Sequence, residues 1–96
     1  MHELKLISNS KHQLKPIVEA ALGNELRLIE AGIRQTQQNL NHFEKKYHLD
    51  TRDFITNYEN DELDETMDFI DWVGESRMLE RLNEKADTLR NISFAN

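Results

Sequence analysis

The sequence predicts an all-α fold, an elongated αα-hairpin of long helix, short corner helix and long helix with a coiled-coil-like seam, on three observations. Apolar residues recur at alternating steps of four and three from Leu22 to Tyr47. A second set recurs at the same steps near the C-terminus, and polar breaks separate the two. Three Gly and one Pro in 96 residues leave little punctuation for a turn-rich β fold.

The first set is Leu22, Leu26, Ile29, Ile33, Thr36, Leu40, Phe43 and Tyr47. A 3.5-residue beat held this long specifies one helix with a continuous stripe that another helix must cover. At about 1.5 Å per residue, a helix over 16–47 would be roughly 48 Å long, more than a compact ball of this size needs. Leu22, Leu26, Ile29, Ile33, Leu40, Phe43 and Tyr47 are therefore the expected oligomer seam, which either dimerises or packs internally. So short a chain buries only about 60–65% of its unfolded surface, which favours a homo-oligomer or complex.

Residues 1–15 are expected to form an N-terminal arm, flexible or ordered by a partner, with residues 16–96 as a single helical-hairpin domain. Within the arm, Leu4, Leu6 and Ile7 suit a short strand or an added helical turn, and Ser8, Asn9 and Ser10 a loop or cap. Pro16 suits the first residue of the long helix, which starts there or one turn earlier. Gly23 and Gly32 each cost about 1 kcal/mol relative to Ala, and Gly32, beside Ile29 and Ile33, is either a point of close helix crossing or a tolerated surface glycine. Glu30 and Arg34 are spaced for an i,i+4 pair. Thr36 weakens the stripe and is placed to set register. Lys45 and Lys46 complement the negative end of the helix dipole, so the helix should end near Tyr47 and His48.

Asp50 or Thr51 then caps a corner helix over 52–60, with Phe54, Ile55 and Tyr58 on its apolar face. A third helix should begin around 62–64, with carboxylates crowding its first turn. Leu63, Met67, Ile70 and Val73 form one stripe on it, and Leu79, Leu82, Ala86 and Leu89 another. Gly74 separates them, and the change of phase, with Phe69 and Trp72 also apolar, predicts a kink or contact with two surfaces at once.

Charge is unevenly placed within the net −6. Residues 1–48 carry seven Lys/Arg and five Asp/Glu, net +2, whereas residues 49–96 carry five and thirteen, net −8. Direct nucleic-acid binding is therefore not expected, and a basic protein partner is. Glu59, Asp61, Glu62, Asp64, Glu65, Asp68 and Asp71 lie in one window that contains no Lys or Arg. The window reads either as a plain solvated acidic face beside core aromatics or as a docking surface, whose expected partner-binding residues are Glu62, Asp64, Glu65, Asp68, Phe69, Asp71 and Trp72, a charged rim around aromatic anchors.

Catalytic and cofactor chemistry find no support. There is no cysteine, which fits a reducing cytoplasm. His2, His12, His42 and His48 lack metal-ligand spacing, the acidic window lacks the glycine of a calcium loop, and no serine sits in a glycine elbow. No catalytic residue, cofactor or metal ligand is assigned. The apolar run at the N-terminus is too short for a signal sequence or membrane span, so a cytoplasmic protein is expected.

The run Phe43-Glu44-Lys45-Lys46-Tyr47, the capped turn from Asp50 to Phe54, the acidic stretch, and Met67-Asp68-Phe69-Ile70-Asp71-Trp72 through Leu79-Glu80-Arg81-Leu82 resemble a group of small prokaryotic proteins. These look like the helical antitoxins of type II toxin-antitoxin pairs, and the resemblance covers roughly residues 22–90. It implies a chain that sequesters a small, basic, often RNA-directed toxin. The competing expectation is a self-associating coiled-coil scaffold or adaptor with no toxin partner.

Overall fold

The computed structural model describes residues 2–4 and 11–94. Three helices follow one another: α1 (Lys11–Tyr47), α2 (Thr51–Glu59) and α3 (Met67–Arg90). Two three-residue strands, β1 (His2–Leu4) and β2 (Ile92–Phe94), pair in parallel with His2 opposite Ile92. Apart from this ladder the fold is the expected all-α hairpin, long helix, short helix, long helix. At 37 residues α1 is about 55 Å long, which sets the 59 Å length of a body only 21 × 17 Å across.

α1 begins at Lys11, so Pro16 lies in its second turn rather than at its first position. Helix therefore takes residues 11–15 of the expected arm, and β1 takes residues 2–4. The expected loop or cap at Ser8, Asn9 and Ser10 and the apolar Leu6 and Ile7 lie outside the described residues.

Both expected stops hold, and each uses a left-handed residue. Lys45 and Lys46 end α1, after which His48 turns to φ 51° and the Leu49 amide reaches back to the Glu44 carbonyl at 3.2 Å. α2 ends the same way, with Asp61 at φ 57° and the Glu62 amide on the Asn57 carbonyl at 3.0 Å. Such six-to-one bonds satisfy carbonyls that a helix end leaves open.

α3 runs antiparallel to α1, as four cross-helix contacts show. Lys46 meets Asp68, Asn39 meets Glu75, Leu82 lies against Gly32, and Arg90 pairs with Glu30 at 3.0 Å. Glu30 thus reaches across the hairpin instead of along α1 to Arg34. At Gly32 an added Cβ would stand 3.4 Å from a Leu82 methyl, so this glycine does admit a close approach, whereas Gly23 faces open space.

The seam is consumed within the chain. Ile29, Thr36 and Leu40 are buried, and Leu22, Leu26, Ile33, Phe43 and Tyr47 are half-buried. α3 answers with Ala86, Val73 and Trp72, all buried. Of the two expected uses of the stripe, packing against the chain's own third helix is the one adopted.

α3 departs from expectation in start and phase. It begins at Met67, because the Thr66 hydroxyl accepts from the Phe69 amide at 3.1 Å and fixes the cap there. The carboxylates from Asp61 to Glu65 consequently lie in the connection before the helix, and only Asp68 occupies its first turn. Met67 and Ile70 are 72% and 47% exposed, while Phe69, Trp72 and Val73 turn inward. The larger rings take the inner side because Phe54 of α2 and Phe43 and Tyr47 of α1 present flat faces there. The helix continues unbroken through Gly74.

Candidate partner-binding surface

The acidic end of the hairpin is held by one aromatic cluster. Trp72 has no exposed surface. Its indole stacks on Phe54 with centroids 3.8 Å apart and lies near-parallel to Phe43 at 5.6 Å and Tyr47 at 5.8 Å. Phe69 closes the side, edge-on to Tyr47 at 5.1 Å. The indole N–H donates to the Thr51 hydroxyl at 3.0 Å. Thr51 opens α2, whose cap Asp50 accepts from the Asp53 amide at 2.9 Å, and its own amide donates to Glu44 at 2.8 Å. Each ring pair adds about 0.5–1.5 kcal/mol beyond area burial, so α1, α2 and α3 are locked to one another here.

This packing withdraws Trp72 from the expected surface and engages Phe69 in part. Trp72 presents nothing to a partner, being wholly inside the chain, and Phe69 is half-buried against the same core. Both aromatics serve the fold.

Asp68 also differs from its expected place among unpaired carboxylates. The Lys46 ammonium lies 2.6 Å from its Oδ2, and the Tyr47 hydroxyl donates to the same oxygen. The bond from Lys46, with that from Tyr47, holds the Asp68 carboxyl below the ordinary range for aspartate. Reciprocally, Asp68 raises Lys46 and Tyr47 above their usual values. Lys46 stands 22 positions away on another helix, which is why a window of sequence without Lys or Arg is not a surface without them.

The other carboxylates keep the expected exposure. Glu59, Asp61, Glu62, Asp64, Glu65 and Asp71 are all exposed, and among the described residues none is in an ion pair. Glu65 accepts from the Tyr58 hydroxyl at 3.3 Å. Partial burial, then the neighbouring Glu65, push the Tyr58 phenol upward. The structure thus brings Glu62, Asp64 and Glu65 together in the connection from α2 to α3, with Asp71 one helical turn further on.

Among the described residues no three His, Cys, Asp or Glu side chains gather as a metal site would require. His42 is exposed beside Phe43, and His48 serves the α1 terminus. No described helix is long and apolar enough to cross a membrane. Sequence reasoning missed the exposed apolar face of α3, formed by Met67, Ile70 and Met78. The signal for it was the second possible phase of the apolar residues between Met67 and Val73.

No family model, curated protein or solved structure matches the chain.

Proposed function

We propose that the chain is a protein-binding antitoxin, which sequesters a small, basic, RNA-directed toxin through the acidic turn between α2 and α3. The observation that carries this reading is the set of exposed carboxylates at Glu59, Asp61, Glu62, Asp64, Glu65 and Asp71, none in an ion pair among the described residues, mounted on an aromatic core. Like charges crowded on one end of a small body repel one another and weaken the folded state. A cationic partner relieves that repulsion, and the same field speeds its encounter. The resemblance of residues 22–90 to helical antitoxins supplies the partner's chemistry, a cleft made basic to hold RNA.

Binding on this account is led by charge and not by aromatic anchors, since Trp72 and Phe69 belong to the core. Capture of the tagged chain from its host, with identification of what it retains, tests the reading. The expected product is one small basic protein that arrests growth when expressed alone and is neutralised by co-expression of this chain. Retention of acidic or neutral proteins only, or of a basic protein that is harmless when expressed alone, would overturn it.

A further inference from the structure

With the α1 seam covered by α3, self-association of the closed hairpin uses another surface. The outer face of α3 has the composition of one. Met67, Ile70 and Met78, exposed by 72%, 47% and 42%, share a face with Gly74 at helical steps of three and four. Gly74 lies mid-helix, where glycine is destabilising. It relieves no crowding within the chain, since a Cβ there would meet nothing within 4 Å. What it leaves is room for a second helix to come close.

Charge along the same face has a direction. Before Gly74 it carries Asp71, and Asp64 stands in the connection ahead of the helix; after Gly74 it continues as Arg77, Met78, Arg81 and Lys85, with Glu84 at its edge, so the second half is basic in balance. All six charged side chains are exposed, and among the described residues none is in an ion pair. A wholly basic helix laid on this face would meet its basic half, and a wholly acidic one its acidic half. A parallel copy would set Asp71 beside Asp71 and Arg77 near Arg77. An antiparallel copy brings acidic half to basic half twice over.

We propose that α3 pairs antiparallel with α3 of a second copy of this chain, crossing near Gly74. The contact joins the acidic half of one helix to the basic half of the other around Ile70 and Met78. One pair of helices buries less than the roughly 1,200 Å² of a standard stable interface, so the dimer is reversible, with a dissociation constant on the order of micromolar or weaker. The proposal does not depend on a toxin partner.

Sedimentation of the full chain across concentrations, at low salt, tests it. Wild type should rise with concentration from its 11.4 kDa single-chain mass toward twice that. Two double variants, Asp64→Lys with Asp71→Lys and Arg77→Glu with Arg81→Glu, should each remain single chains. Mixed one to one they should associate again, because a basic face then meets one that is acidic apart from Lys85. Gly74→Gln should weaken the dimer at least tenfold while raising the melting temperature of the dilute chain. This variant keeps the test open if a charge-reversed chain folds poorly. Wild type that stays a single chain at about millimolar concentration overturns the proposal, as do reversed variants that dimerise like wild type. Failure of the mixture to associate overturns it equally.

Discussion

The indole of Trp72 lies flat on the ring of Phe54, their planes 4° from parallel and their centroids 3.8 Å apart. Through this contact the short helix α2 is fastened to α3, and the acidic connection between them is held at both ends. The most distinctive aromatic of the sequence is therefore a structural part. Trp72→Ala should cost about 3–5 kcal/mol, a large share of the stability of so small a domain. Urea unfolding should show the loss with no partner present. Thr51→Val, which strips the indole N–H of its acceptor, should cost about 1–3 kcal/mol by the same measurement.

Asp68 gives the fold an acid limb. Its carboxyl is held below its unfolded value by Lys46 and Tyr47, so its contribution is present above the unfolded pKa of about 3.9. That contribution is lost as pH falls through the lower folded value. Lys46 and Tyr47 are raised, so their contributions are complete below their unfolded values and lost as pH climbs through the folded ones. Asp68→Asn should flatten both limbs of a melting-temperature profile against pH. With Lys46 half exposed, the effect near neutrality is small.

His48 and Asp61 occupy the left-handed region that glycine enters without penalty. His48→Gly keeps the six-to-one bond and relieves the Cβ, and should stabilise by about 0.5–1 kcal/mol. Gly23→Ala, in a helix and with open space at the Cβ, should gain about as much. Thermal melts of the two single variants and their combination check both, and sites this far apart should add.

The period of α1, its basic stop and the Asp50 cap were legible because each depends on residues within a turn or two of one another. The seam also named its own cover, since Leu82, Ala86 and Leu89 keep the same beat. The phase of α3 was not legible. Met67, Phe69, Ile70, Trp72 and Val73 satisfy two helical stripes equally well, and the choice is made by rings on α1 and α2 that only the tertiary fold brings near. Likewise Thr66 displaced the expected start, because a hydroxyl bonded to a backbone amide fixes a helix end more firmly than carboxylates near a dipole do. Strands of three residues carry too little alternation to announce themselves, so β2 went unforeseen. Of the candidate surface, the exposed carboxylates at Glu62, Asp64, Glu65 and Asp71 were read correctly as exposed. Trp72 was misplaced, and the engagement of Asp68 and Phe69 within the chain was not foreseen, because their partners lie on other elements.

The most direct measurement is calorimetric titration of the captured basic partner with wild type and with the triple variant Glu59→Lys, Glu62→Lys and Asp64→Lys, at two salt concentrations. The account predicts affinity for wild type that falls as salt rises, and a loss of at least a hundredfold in the triple variant, whose circular dichroism and melting temperature stay at or above those of wild type. Equal affinity for both chains, independent of salt, would contradict it.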